Sequence, residues 1–245
     1  MTRATYSPMF VIKDLFETRY QGAQVIFLAG SVVRGEASNY SDIDLVIVYP
    51  RVEKAYRECF YHRGWPVEAF IHDPETLKYF FDDVDRPIGR ATLAEMVFEG
   101  YEFPSSSELT SQLKTLASEF LKQGPPPLSR DEIDERRFHI SGLIDDLREP
   151  RNRFELVAAA TLLYNELADF YFRSNCGWTG SGKAILKRLK AVNPGLSRRF
   201  ADAFESLFAK GETAPVIELA EEILGTQGGL LFEGYRQEFE PSVRT

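Results

Sequence analysis

Phe27-Leu28-Ala29-Gly30-Ser31-Val32-Val33-Arg34-Gly35-Glu36-Ala37-Ser38-Asn39-Tyr40-Ser41-Asp42-Ile43-Asp44-Leu45-Val46-Ile47-Val48 holds two apolar runs joined by a polar connection. The first run, begun at Val25, ends at a Gly-Ser corner, and the second opens on Asp-Ile-Asp. Runs this short and this rich in Val, Ile and Phe read as strands. The stretch therefore predicts strands over residues 25–29 and 42–49, the second stopped by Pro50, with one or two helical turns within 31–37.

Asp42 and Asp44 stand at i and i+2 of a strand, which points both carboxylates to one face. Like charges that close need something positive between them. Carboxylates at an open strand end suit Mg²⁺, which takes oxygen ligands, keeps several waters and completes its shell with substrate phosphates. A third strand is expected over 67–71, with Val67, Ala69 and Ile71 on one face and Glu68 and Phe70 on the other, so that Glu68 can add a third carboxylate. Gly30 permits a tight turn and close approach of a phosphate to the backbone. Ser31 offers a hydroxyl and an N–H, a following helical turn adds its first N–H groups, and Arg34 is one turn on from the same anion. Singly these features are ordinary, because most Asp-x-Asp pairs and Gly-Ser corners lie on solvated surface. Their order along one short stretch is what points to phosphate and metal chemistry.

Towards the N-terminus, residues 8–20 have helical spacing, with Ser7 as N-cap and Pro8 at the first helical position. Towards the C-terminus, apolar or aromatic residues at 52, 55, 56, 59 and 60 predict a helix over 52–62, with Gly64 ending it. Asp73-Pro74 opens another helix, and 87–98 and 106–123 read as two more. Gly124-Pro125-Pro126-Pro127-Leu128-Ser129 cannot continue a helix and reads as a linker. Beyond it the pattern is helical throughout, over 131–148, 154–172, 183–190, 196–208 and 215–224, before a turn at Gly228-Gly229. The organisation is an α/β (α+β) N-terminal domain over 1–123 and an all-helical C-terminal bundle over 130–245.

The chain has 245 residues and a formal net charge of −8, which disfavours bulk binding to nucleic acid or to an anionic membrane. Cys59 and Cys176 are too few for a disulfide framework and are expected to be reduced, inert packing thiols of a cytoplasmic protein. Three histidines and no Cys-x-x-Cys pair argue against zinc. No apolar run approaches the roughly 18 residues of a spanning helix, and the first residues lack the pattern of a secretory signal. His72 follows a strand and reads as a loop or core residue, and His139 has no assignable role beside Arg136 and Arg137.

Gly30-Ser31 followed by Asp42-Ile43-Asp44 and Leu45-Val46-Ile47-Val48 resembles the nucleotidyltransferase superfamily of DNA polymerase β type. The wording Tyr40-Ser41-Asp42-Ile43 is most similar to aminoglycoside nucleotidyltransferases and related small bacterial enzymes. The motif resemblance covers about residues 25–71. It implies a small mixed sheet and Mg²⁺-dependent transfer of a nucleoside monophosphate, AMP from ATP, to a hydroxyl of a small acceptor, with release of pyrophosphate. It implies that Asp42, Asp44 and Glu68 hold two Mg²⁺ ions, Glu68 serving as ligand or as general base. It also implies that the Gly30-Ser31 corner holds the β- and γ-phosphates, and Arg34 and Ser41 are further candidates for contact with the nucleotide. Antitoxin-like enzymes that adenylylate a protein are an alternative, though they resemble minimal versions without a helical half. A non-catalytic nucleotide-binding module is another.

Gly177-Trp178-Thr179-Gly180-Ser181-Gly182-Lys183 fits Gly-x-x-x-x-Gly-Lys. Ala184 stands where a P-loop needs Ser or Thr, and the preceding 156–172 has helical period where a P-loop needs a strand. Between Asp169 and Asp202 there is no acidic residue, while Arg173, Lys183, Lys187, Arg188, Lys190, Arg198 and Arg199 gather there. The resembled enzymes can use a helical-domain lysine on the triphosphate after a Trp- and Gly-containing turn, which carries over to Trp178 and Lys183. Solvated helix-face charge is the plainer reading for Lys187 onward.

Overall fold

The computed structural model describes residues 6–238. The chain divides into two compact units, Met1–Gly124 and Pro125–Thr245.

The first unit is built on a five-stranded mixed sheet in the order β3-β4-β2-β1-β5, formed by β1 (Val25–Ala29), β2 (Ile43–Val48), β3 (Tyr56–His62), β4 (Trp65–His72) and β5 (Tyr101–Phe103). β2 and β4 are parallel, and the other neighbours run antiparallel. Helix α1 (Pro8–Thr18) starts at Ser7, whose side chain accepts from the Phe10 N–H. Its Val11, Ile12 and Leu15 pack against Ile26 and Leu28 of β1, Ile43, Leu45 and Ile47 of β2, and Val67, Ala69 and Ile71 of β4. The alternation along each strand sends these residues to one face and Phe27, Val46, Asp44, Glu68 and Phe70 to the other. Phe27 and Val46 are fully buried on that second face. Gly100, which follows α4 (Thr92–Glu99), lies close enough to Phe27 that a Cβ there would meet the Phe27 Cβ at 2.9 Å. Helix α2 (Gly30–Val33) is a single turn. Helix α3 (Pro74–Tyr79) opens on the expected Asp73 cap and runs into a π-helical turn, Phe80–Asp85. Helix α5 (Glu108–Gln123) closes the unit.

The expected helix over 52–62 is wrong: those residues carry the edge strand β3. Exposed Arg57, Cys59 and Tyr61 alternate with half-buried Glu58, Phe60 and His62. The inward face is largely polar and is satisfied by α1 and the turn after it. Glu58 accepts from Arg19 at 2.6 Å and from the Tyr20 hydroxyl at 2.8 Å, and Arg19 lies 4.1 Å from the Phe60 ring centroid. That Arg19 bond holds the Glu58 carboxyl below its usual range. Arg63 and Gly64, both at positive φ, turn β3 back into β4 as a two-residue hairpin. Gly64 therefore ends a strand. The helix expected over 87–98 begins only at Thr92.

The second unit is helical: α6 (Arg130–Arg148), α7 (Arg153–Ser174), α8 (Ala184–Val192), α9 (Pro194–Lys210) and α10 (Ala214–Gly225). Helix α6 starts with a capping box, in which the Ser129 hydroxyl accepts from the Glu132 N–H and Glu132 accepts from the Ser129 N–H. One core draws Ile144 and Leu147, Leu163 and Leu167, Ile185 and Leu189, Phe200 and Phe204, and Leu219 from the five helices in turn. The Gly228-Gly229 turn is fixed by the buried Arg137, which donates to the carbonyls of both glycines at 2.8 Å. No helix among the described residues is long and apolar enough to cross a membrane.

Candidate active site

The strand register builds the site. Asp44 pairs with Ala29 across the antiparallel β1–β2 ladder, and with Glu68 across the parallel β2–β4 ladder. Partners in register share a face, so Asp44 and Glu68 stand side by side. The β2 ladder begins at Ile43, which leaves Asp42 one residue outside the strand expected to include it. One carboxylate oxygen from each of Asp42, Asp44 and Glu68 nevertheless lies within 4.8 Å of the others.

Gly30 has a role here that the phosphate argument does not supply. Its φ is +74°, and a Cβ at that position would overlap the Asp44 carboxylate, meeting Cγ at 2.7 Å. The glycine is what lets Asp44 lie across the start of α2. Ser31 is the second residue of that turn and is half-buried. Arg34 follows it, and its Nε donates to Glu36 at 2.9 Å. Ser41 folds the connection before Asp42: its hydroxyl oxygen accepts from the Ser38 N–H at 2.8 Å, and its own N–H donates to the Ser38 carbonyl at 3.2 Å.

The three carboxylates form an all-oxygen donor set, which suits a hard divalent cation. Two ligands on opposite sides of Mg²⁺ are about 4.2 Å apart, twice a bond of about 2.1 Å. A spread of 4.8 Å needs little movement to meet that geometry. The residues present fit a divalent ion.

Two neighbours of this cluster escaped the sequence reading because they lie on the misread strand. Arg57 of β3 forms an ion pair with Glu68, and Cys59 stands directly opposite Glu68 in the register. The alternating exposure of β3 was the available signal, and its polar inner face hid it. Both cysteines are free and exposed, so the expectation of packing thiols is corrected for Cys59 and Cys176 alike.

His72 is a core residue, 2% exposed, with burial pushing its imidazole down to about 4 against the opposing pull of Asp73. It lies four residues beyond Glu68 along β4, or roughly 13 Å at the usual strand rise. The Gly-rich stretch before Lys183 follows helix α7, so no strand precedes it as a P-loop requires. Lys183 is exposed and immediately precedes α8. In the basic region around it, Arg199 is paired with Glu222 and Arg173 is buried, donating to the Pro126 carbonyl at 3.3 Å. The second unit also holds an open cavity of about 380 Å³ lined by Phe138, His139, Leu143, Asp145, Asp146, Glu166 and Phe232. Burial raises the Glu166 carboxyl, with His139 and Arg136 acting against that shift.

Residues 11–97 match the family described as Nucleotidyltransferase domain. That span contains β1 to β4 and all three clustered carboxylates. The N-terminal unit thus carries a nucleotidyltransferase domain, which supports a nucleotidyltransferase enzyme. No curated protein matches the chain at a significant level. Among solved structures, a nucleotidyltransferase-like protein from Exiguobacterium sibiricum 255-15 aligns with a TM-score of 0.41 and 14% identity, over 90% of this chain and 76% of that one.

Proposed function

We propose that the protein transfers AMP from ATP to a hydroxyl of a small-molecule acceptor, releases pyrophosphate, and uses Mg²⁺ as its divalent ion. The observation that carries this reading is the convergence of Asp42, Asp44 and Glu68 within 4.8 Å on one sheet face. These residues would hold two ions, whose charge, once bound, would offset that developing on the attacking and leaving oxygens. Glu68 either completes that ligand set or accepts the proton of the acceptor hydroxyl. The Gly30-Ser31 corner is assigned to the β- and γ-phosphates, because the first N–H groups of α2 lack intrahelical acceptors. Arg34 is assigned to the same phosphates and must leave Glu36 to reach them. Ser41, whose oxygen holds the turn before Asp42, is assigned to the nucleotide as well. Lys183 is assigned to the triphosphate from the helical domain, residues 130–245, with residues 1–123 as the catalytic domain.

The likeness of Tyr40-Ser41-Asp42-Ile43 to aminoglycoside nucleotidyltransferases supports an acceptor bearing amines as well as hydroxyls. Two free thiols support a reducing, cytoplasmic setting. The test is pyrophosphate release from ATP and Mg²⁺ across a panel of amino-sugar and neutral polyol acceptors. We expect turnover with an aminated acceptor, and a fall of roughly three orders of magnitude in Asp44→Ala, since ions at the reacting oxygens supply several kcal/mol. Undiminished turnover in Asp44→Ala would refute the metal assignment. Label from ATP appearing on protein instead would replace the small acceptor by a protein hydroxyl.

A further inference from the structure

Three carboxylates gathered within 4.8 Å repel one another, and in this structure the repulsion meets a specific cation. Arg57 on β3 stands opposite Phe70 on β4, two residues beyond Glu68 on the same sheet face. Its guanidinium lies 5.6 Å from the Phe70 ring centroid, and its Nη2 reaches diagonally to Glu68 Oε1. The Phe70 ring acts as a rail that steers the side chain to the carboxylate. Glu68 is the half-buried partner, at 20% side-chain exposure, and Arg57 the exposed one, at 61%. The oxygen that Arg57 engages belongs to the residue whose carboxylate completes the cluster. A guanidinium and a divalent ion at that cluster compete for the same negative charge.

We propose that Arg57 is the counter-ion of the metal-free acid cluster, holding Glu68 in place until a divalent ion displaces it. It is a positioning residue for Glu68, not a ligand. The inference rests on the reading that Asp42, Asp44 and Glu68 bind a divalent ion. Because Arg57 is largely exposed, its guanidinium passes into water on release and finds its lost contact replaced by solvent. Removing the charge therefore favours the metal-bound cluster.

The test is Mn²⁺ titration without nucleotide, followed by the electron paramagnetic resonance signal of free Mn²⁺, on the full chain. The variants are Arg57→Gln, Arg57→Lys and Asp44→Asn, each checked by circular dichroism for an unchanged fold. Arg57→Gln is expected to bind Mn²⁺ roughly twofold to fivefold tighter than wild type, the range set by partly exposed ion pairs. Arg57→Lys, which keeps the charge, should stay within about twofold of wild type on the same grounds. Equal or weaker binding by Arg57→Gln, with wild type binding and Asp44→Asn impaired, overturns the counter-ion role and leaves the metal site standing. Absence of binding by wild type, or no effect of Asp44→Asn, removes the metal site and this proposal with it.

Discussion

Gly30 shows how one residue can serve two purposes that sequence alone does not separate. The dipeptide Gly30-Ser31 was legible as a corner, and a corner suits phosphate. What the fold adds is the Asp44 side chain lying where a Cβ of residue 30 would be. That contact arises from the Ala29–Asp44 register, which is a property of strand pairing. Gly30→Ala must therefore move Asp44 or distort the corner. Together with the positive φ it should cost about 1–3 kcal/mol of stability. Turnover should fall by well over tenfold, because a ligand of the cluster is displaced. Urea denaturation and a pyrophosphate assay measure the two effects. Asp42, Asp44 and Glu68 were readable from alternation because each lies on or beside a strand with a clear apolar face. Arg57 and Cys59 were not, because their strand presents Glu58 and His62 inward, and those polar residues find partners only after α1 has docked.

Elements with a continuous apolar stripe were readable at close to their observed bounds. The helices of the second unit have such stripes, as Leu156, Leu163, Leu167 and Phe170 of α7 illustrate. β5, three residues at the sheet edge, carries too little pattern to be seen in advance. The π-helical turn after α3 was also invisible, and it holds a strained charge. Burial pushes the Asp85 carboxyl up to about 6 from 3.8, against the attraction of Arg90. A carboxyl raised in the folded state contributes stability below about pH 3.8 and loses it as pH climbs through about 6. His72 acts in the opposite direction: its folded value of about 4 lies below 6.5, so its contribution is intact above pH 6.5 and is lost as pH falls towards 4. The two slopes oppose each other between about pH 4 and 6. Asp85→Asn removes one of them. The variant should be more stable than wild type near neutral pH by about 1 kcal/mol, after discounting for the water that still reaches the side chain. The difference should shrink as pH falls through about 6 and vanish about one unit below 3.8, near pH 3, where Asp85 is protonated in both states of the wild type. Thermal melts at the two pH values measure this.

At the scale of the whole molecule, each of the two units has its own core, one sheet-centred and one helical. The metal and phosphate chemistry is assigned within the first unit. Completion of the nucleotide site by the second rests on Lys183, an exposed lysine at the start of α8. Lys183→Ala should raise the KM for ATP about tenfold, the value of one charge-assisted contact, and leave the melting temperature unchanged. An unchanged KM would confine the nucleotide site to the first unit.

The central claim is that Asp42, Asp44 and Glu68 hold divalent ions against a triphosphate. Anomalous diffraction from crystals grown with Mn²⁺ and a non-hydrolysable ATP analogue tests it most directly. The account predicts anomalous peaks at roughly 2.2 Å from oxygens of all three carboxylates, with Arg57 swung away from Glu68 and the β- and γ-phosphates at Gly30-Ser31. A peak elsewhere, or nucleotide bound with Arg57 still on Glu68 and no ion in the cluster, would contradict it.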